Sequence, residues 1–166
     1  MPDKKADWDI SLKCLEFEFV RPTHLDLPFL PEDMADLIDR CSATFTEMAF
    51  EQVPSLKLKF LNTVWKLIQV FLATSREVDA AASPSKTVKN ADTILNSITM
   101  DDMMPVLVYI VIKCHPPQLL SDLNFLVATC RDMTQFGSTA SFFVTNTQVA
   151  IEFVKNLTVE KLSVAS

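Results

Sequence analysis

Glycine is almost absent from this chain, which has a single one, Gly137, among 166 residues. Tight β-hairpins depend on glycine because their turns require positive φ angles, so a barrel or a sandwich is not expected. Phosphate-binding loops, dinucleotide fingerprints and nucleophile elbows also need glycines at fixed spacings, and the sequence contains none of them. Nine prolines divide the sequence instead, as is typical between helices. The scarcity of glycine therefore favours an all-α fold.

Composition and charge limit the classes of function. The chain is 49% hydrophobic and 22% charged, which is typical of one globular domain, expected to span residues 1–166. A net charge of −6 without a Lys/Arg-rich stretch disfavours binding to nucleic acid. The apolar runs are too short to span a bilayer, and the first nine residues lack the apolar segment of a signal peptide. These features disfavour direct membrane insertion, and the acidic surface suits a protein partner. We also expect a cytoplasmic monomer that uses no cofactor.

Cysteine and histidine do not form a recognisable metal or disulfide pattern. The cysteines have no CxxC spacing, so we expect reduced and buried thiols; they are Cys14, Cys41, Cys114 and Cys130. The two histidines, His24 and His115, have no ligand partner one helical turn away. Cys114 and His115 are neighbours and point apart on a helix, so a zinc site is not expected.

Apolar residues recur at three- and four-residue spacings along much of the chain. This pattern predicts amphipathic helices over residues 33–50, 54–79, 118–132 and 139–157. In the second of these helices, we interpret Lys57, Lys59 and Lys66 as mostly a solvated face. A mobile loop is expected near residues 80–87, where Ala, Ser, Pro and Lys dominate.

Residues 9–20 allow two interpretations. The letters LEFEFV alternate like a strand, whereas Ile10, Leu12, Leu15 and Phe19 would form one stripe of a helix.

The most apolar run of the chain lies between Asp101 and Pro117. Its β-branched residues favour a strand by propensity alone. However, Asp101 is a suitable N-cap, Asp102 suits a first turn, and Pro105 is tolerated there. A segment that is apolar on every side is typical of a helix surrounded by other helices. We therefore predict a layered all-α domain of about six to eight helices around a central helix, 101–115, supported by the helices of residues 1–98.

Two polar pairs are candidates for function. Asp101 and Asp102 could serve only as an N-cap and a first-turn acid, or they could display charge at the entrance of the central helix. Thr145 and Asn146 interrupt the apolar face of the last helix beside two phenylalanines. They could be locally bonded helix residues, or they could form the rim of a protein-binding groove. The residues alone leave both choices open.

Two segments resemble a known family. TMDDMMPVLVYIVIKCHPPQLLSDLNFL, beginning at Thr99, is similar to the core of the vacuolar-protein-sorting-nine (Vps-nine) domain. SFFVTNTQVAIEFVKNL, beginning at Ser141, is similar to the later segment of that domain, which carries a pair of tyrosines and Phe-Thr-Asn. Weaker resemblance in PSLKLKFLNTVWKLI and FEFVRPTHLDLP extends the likeness to about residues 16–160, with a core at 99–160.

The resemblance implies an all-helical guanine-nucleotide exchange factor for endosomal Rab GTPases of the Rab-five subfamily, recruited to early endosomes. Such a protein releases nucleotide without covalent chemistry. By this resemblance, Asp101 enters the nucleotide site of the GTPase and engages its phosphate-loop lysine and magnesium site. The resemblance also implies that Pro105 shapes the site. The groove that binds the GTPase would be formed by Asp102, Pro105, Val106, Phe142, Phe143, Thr145 and Asn146.

One departure from the family bears on activity. The first tyrosine of the family's pair falls at Phe142, so the aromatic surface is kept and the hydroxyl is lost. The turn before it is also altered, to FGSTAS. Three hypotheses follow: an exchange factor, a Rab-binding module of the same fold with weak or no exchange, and an unrelated helical enzyme or scaffold.

Overall fold

Six α-helices carry the fold within the residues that the computed structural model describes, which are 4–81, 97–129 and 138–162. The helices are α1 (Lys4–Glu16), α2 (Pro31–Phe50), α3 (Pro54–Ala81), α4 (Met100–Cys114), α5 (Leu119–Thr129) and α6 (Ser138–Lys155). Two short 3-10 helices add Pro22–Leu25 and Val159–Lys161. The described ranges contain no strand. The all-α prediction is therefore confirmed.

The central position of α4 is also confirmed. It packs against α1, α2, α3 and α6, and against the 3-10 helix Pro22–Leu25. Every residue from Val106 to Ile112 is at most 3% exposed. Because neighbouring helices cover this segment on all sides, tertiary burial overrides the strand propensity of its valines and isoleucines.

The start of α4 differs from the prediction, because Thr99 and not Asp101 is its N-cap. The Thr99 hydroxyl accepts a hydrogen bond from the Asp102 amide, and the Asp102 carboxylate accepts one from the Thr99 amide. This reciprocal arrangement is a capping box, and it places Asp101 inside the first turn. Pro105 consequently lies in the second turn of the helix rather than the first. At the other end, His115 adopts a left-handed conformation with φ of 48°, and the double proline follows.

In the ambiguous segment 9–20, residues 9–16 are helical, and residues 17–19 form a turn and not a strand. The face that α1 buries contains Ile10 and Cys14, followed by Phe17 and Val20 beyond its end. The Cys14 thiol lies 3.4 Å from the carbonyl oxygen of Val111 in the central helix. Three residues of the expected stripe are exposed, namely Leu12, Leu15 and Phe19. The buried face is therefore rotated from the expected one, because a cysteine and not a leucine occupies the close contact with α4.

The interpretation of Lys57 as solvated is wrong, whereas Lys59 and Lys66 are exposed. Lys57 is 4% exposed and forms an ion pair of 2.6 Å with Asp122 of α5. Its ammonium also donates to the carbonyl oxygen of Met48 at 2.7 Å. A buried lysine needs such partners, since an unpaired buried charge is strongly unfavourable.

Three thiols are free, and burial raises the pKa of each: Cys14 to about 11, Cys41 to about 12, and Cys114 further still. The fourth, Cys130, lies outside the described residues, as do Gly137 and residues 82–87 of the loop that was expected near residues 80–87. Residues 80 and 81 of that expected loop are helical. Helix α3 extends through Ala81, two residues beyond its predicted end.

Among the residues described, none of the helices has the length and apolar character needed to cross a membrane.

Candidate functional site

Asp101 is an exposed residue in the first turn of α4. Within the described parts of the chain, its carboxylate has no hydrogen bond or ion pair. The helix behind it is fixed in the core over two turns, from Val106 to Ile112. The result is a negative charge that is accessible to a partner and attached to a rigid element. The dipole of α4 also favours a negative charge at this end.

Asp102 is held by contacts within the chain. Its carboxylate accepts hydrogen bonds from the Thr99 amide at 2.8 Å and the Thr99 hydroxyl at 3.0 Å. Arg76 of α3 adds an ion pair of 2.9 Å. The Thr99 amide hydrogen bond is the main cause that lowers the pKa of Asp102, and the Thr99 hydroxyl and Arg76 contribute as well. The two neighbouring aspartates are therefore not equivalent, because only the carboxylate of Asp101 is without a hydrogen bond or ion pair within the described chain.

Pro105 lies one helical turn after Asp101 and lines a pocket of about 210 Å³. Met104, Pro105 and Val108 form its α4 wall, and Val149 and Phe153 form its α6 wall. The remaining lining residues are His24, Leu25, Asp26 and Lys161. The structure thus places the exposed face of the first turns of α4 beside an apolar recess shared with the last helix.

The exposed side of α6 continues this apolar surface. Phe142, Thr145, Val149 and Phe153 recur at three- and four-residue spacings, so they lie on one face of the helix. Phe142 is 50% exposed, Val149 52% and Phe153 43%. We call these four residues the α6 strip. Phe142 and Thr145 lie on the strip but do not line the pocket itself, whereas Val149 and Phe153 do both.

Three residues expected at the groove have other positions. Val106 is fully buried, so it supports the surface from below and has no area to offer a partner. Phe143 is half-buried and stacks on Trp65, with ring centroids 5.2 Å apart and planes 8° from parallel. Asn146 donates its side-chain amide to the carbonyl oxygen of Phe142 at 2.8 Å, the local bonding that was one of the two interpretations.

Beneath the strip, a buried hydrogen bond fixes α6 to α3. The Trp65 indole donates to the Thr147 hydroxyl at 2.9 Å, and this hydroxyl donates to the carbonyl oxygen of Phe143 at 2.7 Å. Trp65 and Thr147 are both 0% exposed. A fully paired polar group in a dry interface fixes the rotation of the helix about its axis.

Sequence reasoning missed Val149 and Phe153 as surface residues. Helical spacing provides the signal that would have found them, since both are separated from Thr145 by whole turns of the same helix. His24, Leu25 and Lys161 also border the pocket, but they come from distant parts of the sequence. No spacing within the sequence connects them to the central helix.

A larger cavity lies away from this site, at the turn between α2 and α3. It has a volume of about 790 Å³ and is lined by Ala49, Phe50, Glu51, Gln52, Lys57, Gln118, Ser121, Asp122, Asn124, Phe125 and Ala128. The buried ion pair between Lys57 and Asp122 lies in its wall. Within the described ranges, no group of three or more His, Cys, Asp and Glu side chains is arranged to hold a metal ion.

Comparison with known proteins identifies one family and several relatives. The family model described as "Vacuolar sorting protein 9 (VPS9) domain" matches residues 38–159. A Rab5 GDP/GTP exchange factor from Mus musculus is 24% identical over 165 residues, which are 98% of this chain and 30% of that protein. A vacuolar protein sorting-associated protein 9A from Oryza sativa is 28% identical over 163 residues, 97% of this chain and 30% of that protein. A shorter match of 57 residues, 39% identical, covers 34% of this chain and 5% of the receptor-mediated endocytosis protein 6 of Caenorhabditis briggsae.

The matched residues include α4, α5 and α6 entirely, together with α3 and most of α2. The chain is a member of the VPS9 domain family. It spans about 30% of the length of the first relatives above, so it corresponds to one part of those longer proteins.

Proposed function

We propose that this domain is a guanine-nucleotide exchange factor for a Rab GTPase of the Rab5 subfamily. The observation that carries the proposal is the exposed carboxylate of Asp101, without a bond in the described chain and located one turn from an apolar pocket. The names of the relatives, among them a Rab5 GDP/GTP exchange factor, support the choice of partner. In this proposal Asp102 bonds to residues of its own chain, whereas the resemblance in sequence implied that it would contact the GTPase.

The chemistry of the proposal is competition for positive charge. A GTPase holds the phosphates of GDP with a lysine and a magnesium ion, and a carboxylate that reaches this site replaces part of the phosphate charge. Asp101 is suited to this because α4 is rigid and the dipole of the helix stabilises the charge. A ten-thousandfold acceleration of release corresponds to about 5.5 kcal/mol, which requires loss of charge-assisted contacts and of the metal together.

Apolar contact supplies the docking in this mechanism. The pocket at Pro105 and the α6 strip form a continuous mostly apolar surface beside the carboxylate, which suits the hydrophobic side chains of a GTPase switch region. Phe142 and Thr145 extend the surface beyond the pocket. Exchange requires neither a cofactor nor a covalent intermediate, so the domain acts by binding alone.

The test is release of fluorescent GDP from a panel of endosomal Rab GTPases. The wild-type domain should accelerate release from at least one Rab of the Rab5 subfamily, and Asp101→Ala should remove most of the acceleration. Asp9→Ala is the matched control, since Asp9 is also an exposed aspartate on a helix but lies on α1. Absence of acceleration with every Rab, or equal loss in both variants, would contradict the proposal.

Phe142 supports a second candidate function, a Rab-binding module with weak exchange. This half-exposed ring keeps the apolar contact but has no hydroxyl to donate or accept a hydrogen bond. One hydrogen bond contributes about 0.5–1.5 kcal/mol, which is about two- to tenfold in rate. Phe142→Tyr should therefore increase exchange by about that factor at unchanged thermal stability. If exchange is already fast and Phe142→Tyr does not change it, the hydroxyl has no role here.

The cellular location belongs to the same proposal. A domain that acts on a Rab5-subfamily GTPase works in the cytoplasm and is recruited to early endosomes. The names of two nematode relatives, both receptor-mediated endocytosis proteins, support this location. Fluorescence microscopy of the tagged protein with an endosomal Rab tests it, and uniform cytoplasmic signal after Rab activation would contradict it.

A further inference from the structure

We propose that Arg76 is a positioning residue that fixes the first turn of α4 and thereby the direction in which Asp101 points. This inference rests on the proposed function and names a residue outside the matched motifs of the central helix. Arg76 does not touch a partner in this account. It acts through Asp102, the aspartate that is bonded within the chain.

The contacts of Arg76 form a bridge between two elements. One terminal nitrogen of its guanidinium pairs with the Asp102 carboxylate at 2.9 Å, and the other donates to the Ser97 hydroxyl at 2.8 Å. Arg76 belongs to α3, whereas Ser97 and Asp102 lie on either side of the N-cap residue Thr99. The guanidinium is planar and presents its donors in a fixed geometry, so it restrains both sides of the cap at once.

A single oxygen of the Asp102 carboxylate accepts three bonds. It accepts from the Thr99 amide, the Thr99 hydroxyl and the Arg76 guanidinium, at 2.8, 3.0 and 2.9 Å. The capping box is therefore connected to α3, which packs against both α4 and α6. Since Asp101 lies between Asp102 and the N-terminal end of α4, its backbone direction is fixed by this network.

The network also gives the two adjacent aspartates different roles, since Asp102 holds the first turn and Asp101 remains exposed. A lone exposed carboxylate in a first turn would be attached to a backbone that frays, because the first turn lacks intrahelical partners for its amides. With Asp102 occupied by the cap and by Arg76, the neighbouring Asp101 is both free and immobile. Preorganisation of this kind matters because a displacement of about 1 Å can cost two orders of magnitude in rate.

The variant Arg76→Gln tests the proposal, with Arg40→Gln as the matched control. Arg40 also pairs with an exposed aspartate, Asp36 at 3.0 Å, but on α2. Arg76→Gln should lower the maximal exchange rate by about three- to tenfold, while the half-saturating concentration of the domain stays unchanged, because docking depends on the apolar groove. Arg76→Lys should recover part of the rate, since it restores the charge but not the two-sided bridge. Arg40→Gln should have no effect.

Amide hydrogen exchange provides an arm that does not need activity. The amides of Asp102 and Met103 both donate to the carbonyl oxygen of Thr99, at 3.1 and 3.2 Å. Their exchange should become faster in Arg76→Gln and remain unchanged in Arg40→Gln. If the wild-type domain accelerates no Rab, the proposed function fails, while this arm still decides whether Arg76 fixes the turn. Unchanged amide exchange in Arg76→Gln, or faster amide exchange with an undiminished maximal rate, overturns the positioning role.

Discussion

Two ion pairs in this domain use the same chemistry in opposite surroundings. Lys57 and Asp122 connect α3 to α5 with side chains that are 5% and 3% exposed. Arg76 and Asp102 connect α3 to α4 with side chains that are 36% and 35% exposed. The first pair is closed off from solvent beside a large cavity, and the second is open to solvent beside the candidate site. Helix α3 is therefore connected to α5 by a buried ion pair near its first residues and to α4 by a solvent-exposed ion pair near its last ones.

The two environments imply different roles. A buried pair adds little net stability over an apolar replacement, but removal of one partner leaves an uncompensated charge. An exposed pair is weak because water and salt screen it. The buried pair should therefore determine whether the chain folds, whereas the exposed pair should determine how a small part of the surface is held.

The largest effect is expected from Lys57→Met. This change removes the only cation paired with Asp122 in the described chain. It also removes one of the two donors to the Met48 carbonyl, which keeps the Glu51 amide as the other. The free energy of unfolding should fall by about 3–5 kcal/mol. Chemical denaturation followed by circular dichroism measures it.

The double variant Lys57→Met with Asp122→Leu is the control for this prediction. It removes both charges, so it should recover most of the lost stability. A double variant as unstable as Lys57→Met would show that the packing around the lysine, and not the stranded charge, is responsible.

A much smaller effect is expected from the exposed pair. A double-mutant cycle with Arg76→Gln and Asp102→Asn should give a coupling energy of about 0.2–1 kcal/mol in global unfolding. This coupling should decrease in high salt, whereas that of Lys57 and Asp122 should hardly change. Equal coupling energies for the two pairs, or equal salt dependence, would remove the distinction drawn between them.

The smallest effect concerns the stability of the domain at acidic pH. Protonation of Asp102 and protonation of Asp122 should change the free energy of unfolding in opposite directions. The Thr99 amide lowers the pKa of Asp102, so the folded state binds its proton less tightly than the unfolded state. Its stabilising contribution is complete above the unfolded value of about 3.9 and is lost as the pH falls through the lower folded value. Burial raises the pKa of Asp122, against the opposing effects of Lys57 and Gln118.

For Asp122 the sign is therefore reversed. The folded state holds the Asp122 proton more tightly, so this contribution is complete below the unfolded pKa and is lost as the pH rises through the folded pKa. Carboxyl carbon chemical shifts followed by NMR should give a midpoint below the ordinary aspartate value for Asp102 and above it for Asp122. Midpoints in the reverse order would show that the ion pair with Lys57 outweighs its burial.

The same two regions show what sequence could and could not predict. The helical class, the central helix and the approximate bounds of α2, α3, α5 and α6 follow from apolar spacing and from the positions of prolines. Lys57 could not be recognised as buried, because its partner Asp122 is remote in sequence and exposed lysines follow it at Lys59 and Lys66. The N-cap was misplaced for a related reason. Thr99 and Asp101 both have side chains that cap helices, and only the reciprocal bonds with Asp102 distinguish them.

The candidate site was only partly predictable. Spacing places Asp101 and Pro105 on one face of α4, and Phe142 and Thr145 on one face of α6. The rotation of each helix about its axis is a tertiary property, which is why Val106 and Phe143 were expected at the surface and lie below it. The pairing of Trp65 with Thr147 fixes that rotation for α6, and these two residues are far apart in sequence.

Pro105 has a consequence for the residue one turn before it. A proline has no amide hydrogen, so the main-chain carbonyl oxygen of Asp101 lacks the donor that any other residue at position 105 would supply. The main-chain oxygen of Asp101 thus has no amide donor four residues on, and within the described residues its carboxylate makes no hydrogen bond or ion pair. The missing amide of Pro105 therefore leaves Asp101 with more hydrogen-bond-accepting capacity than the same residue would have in an uninterrupted helix.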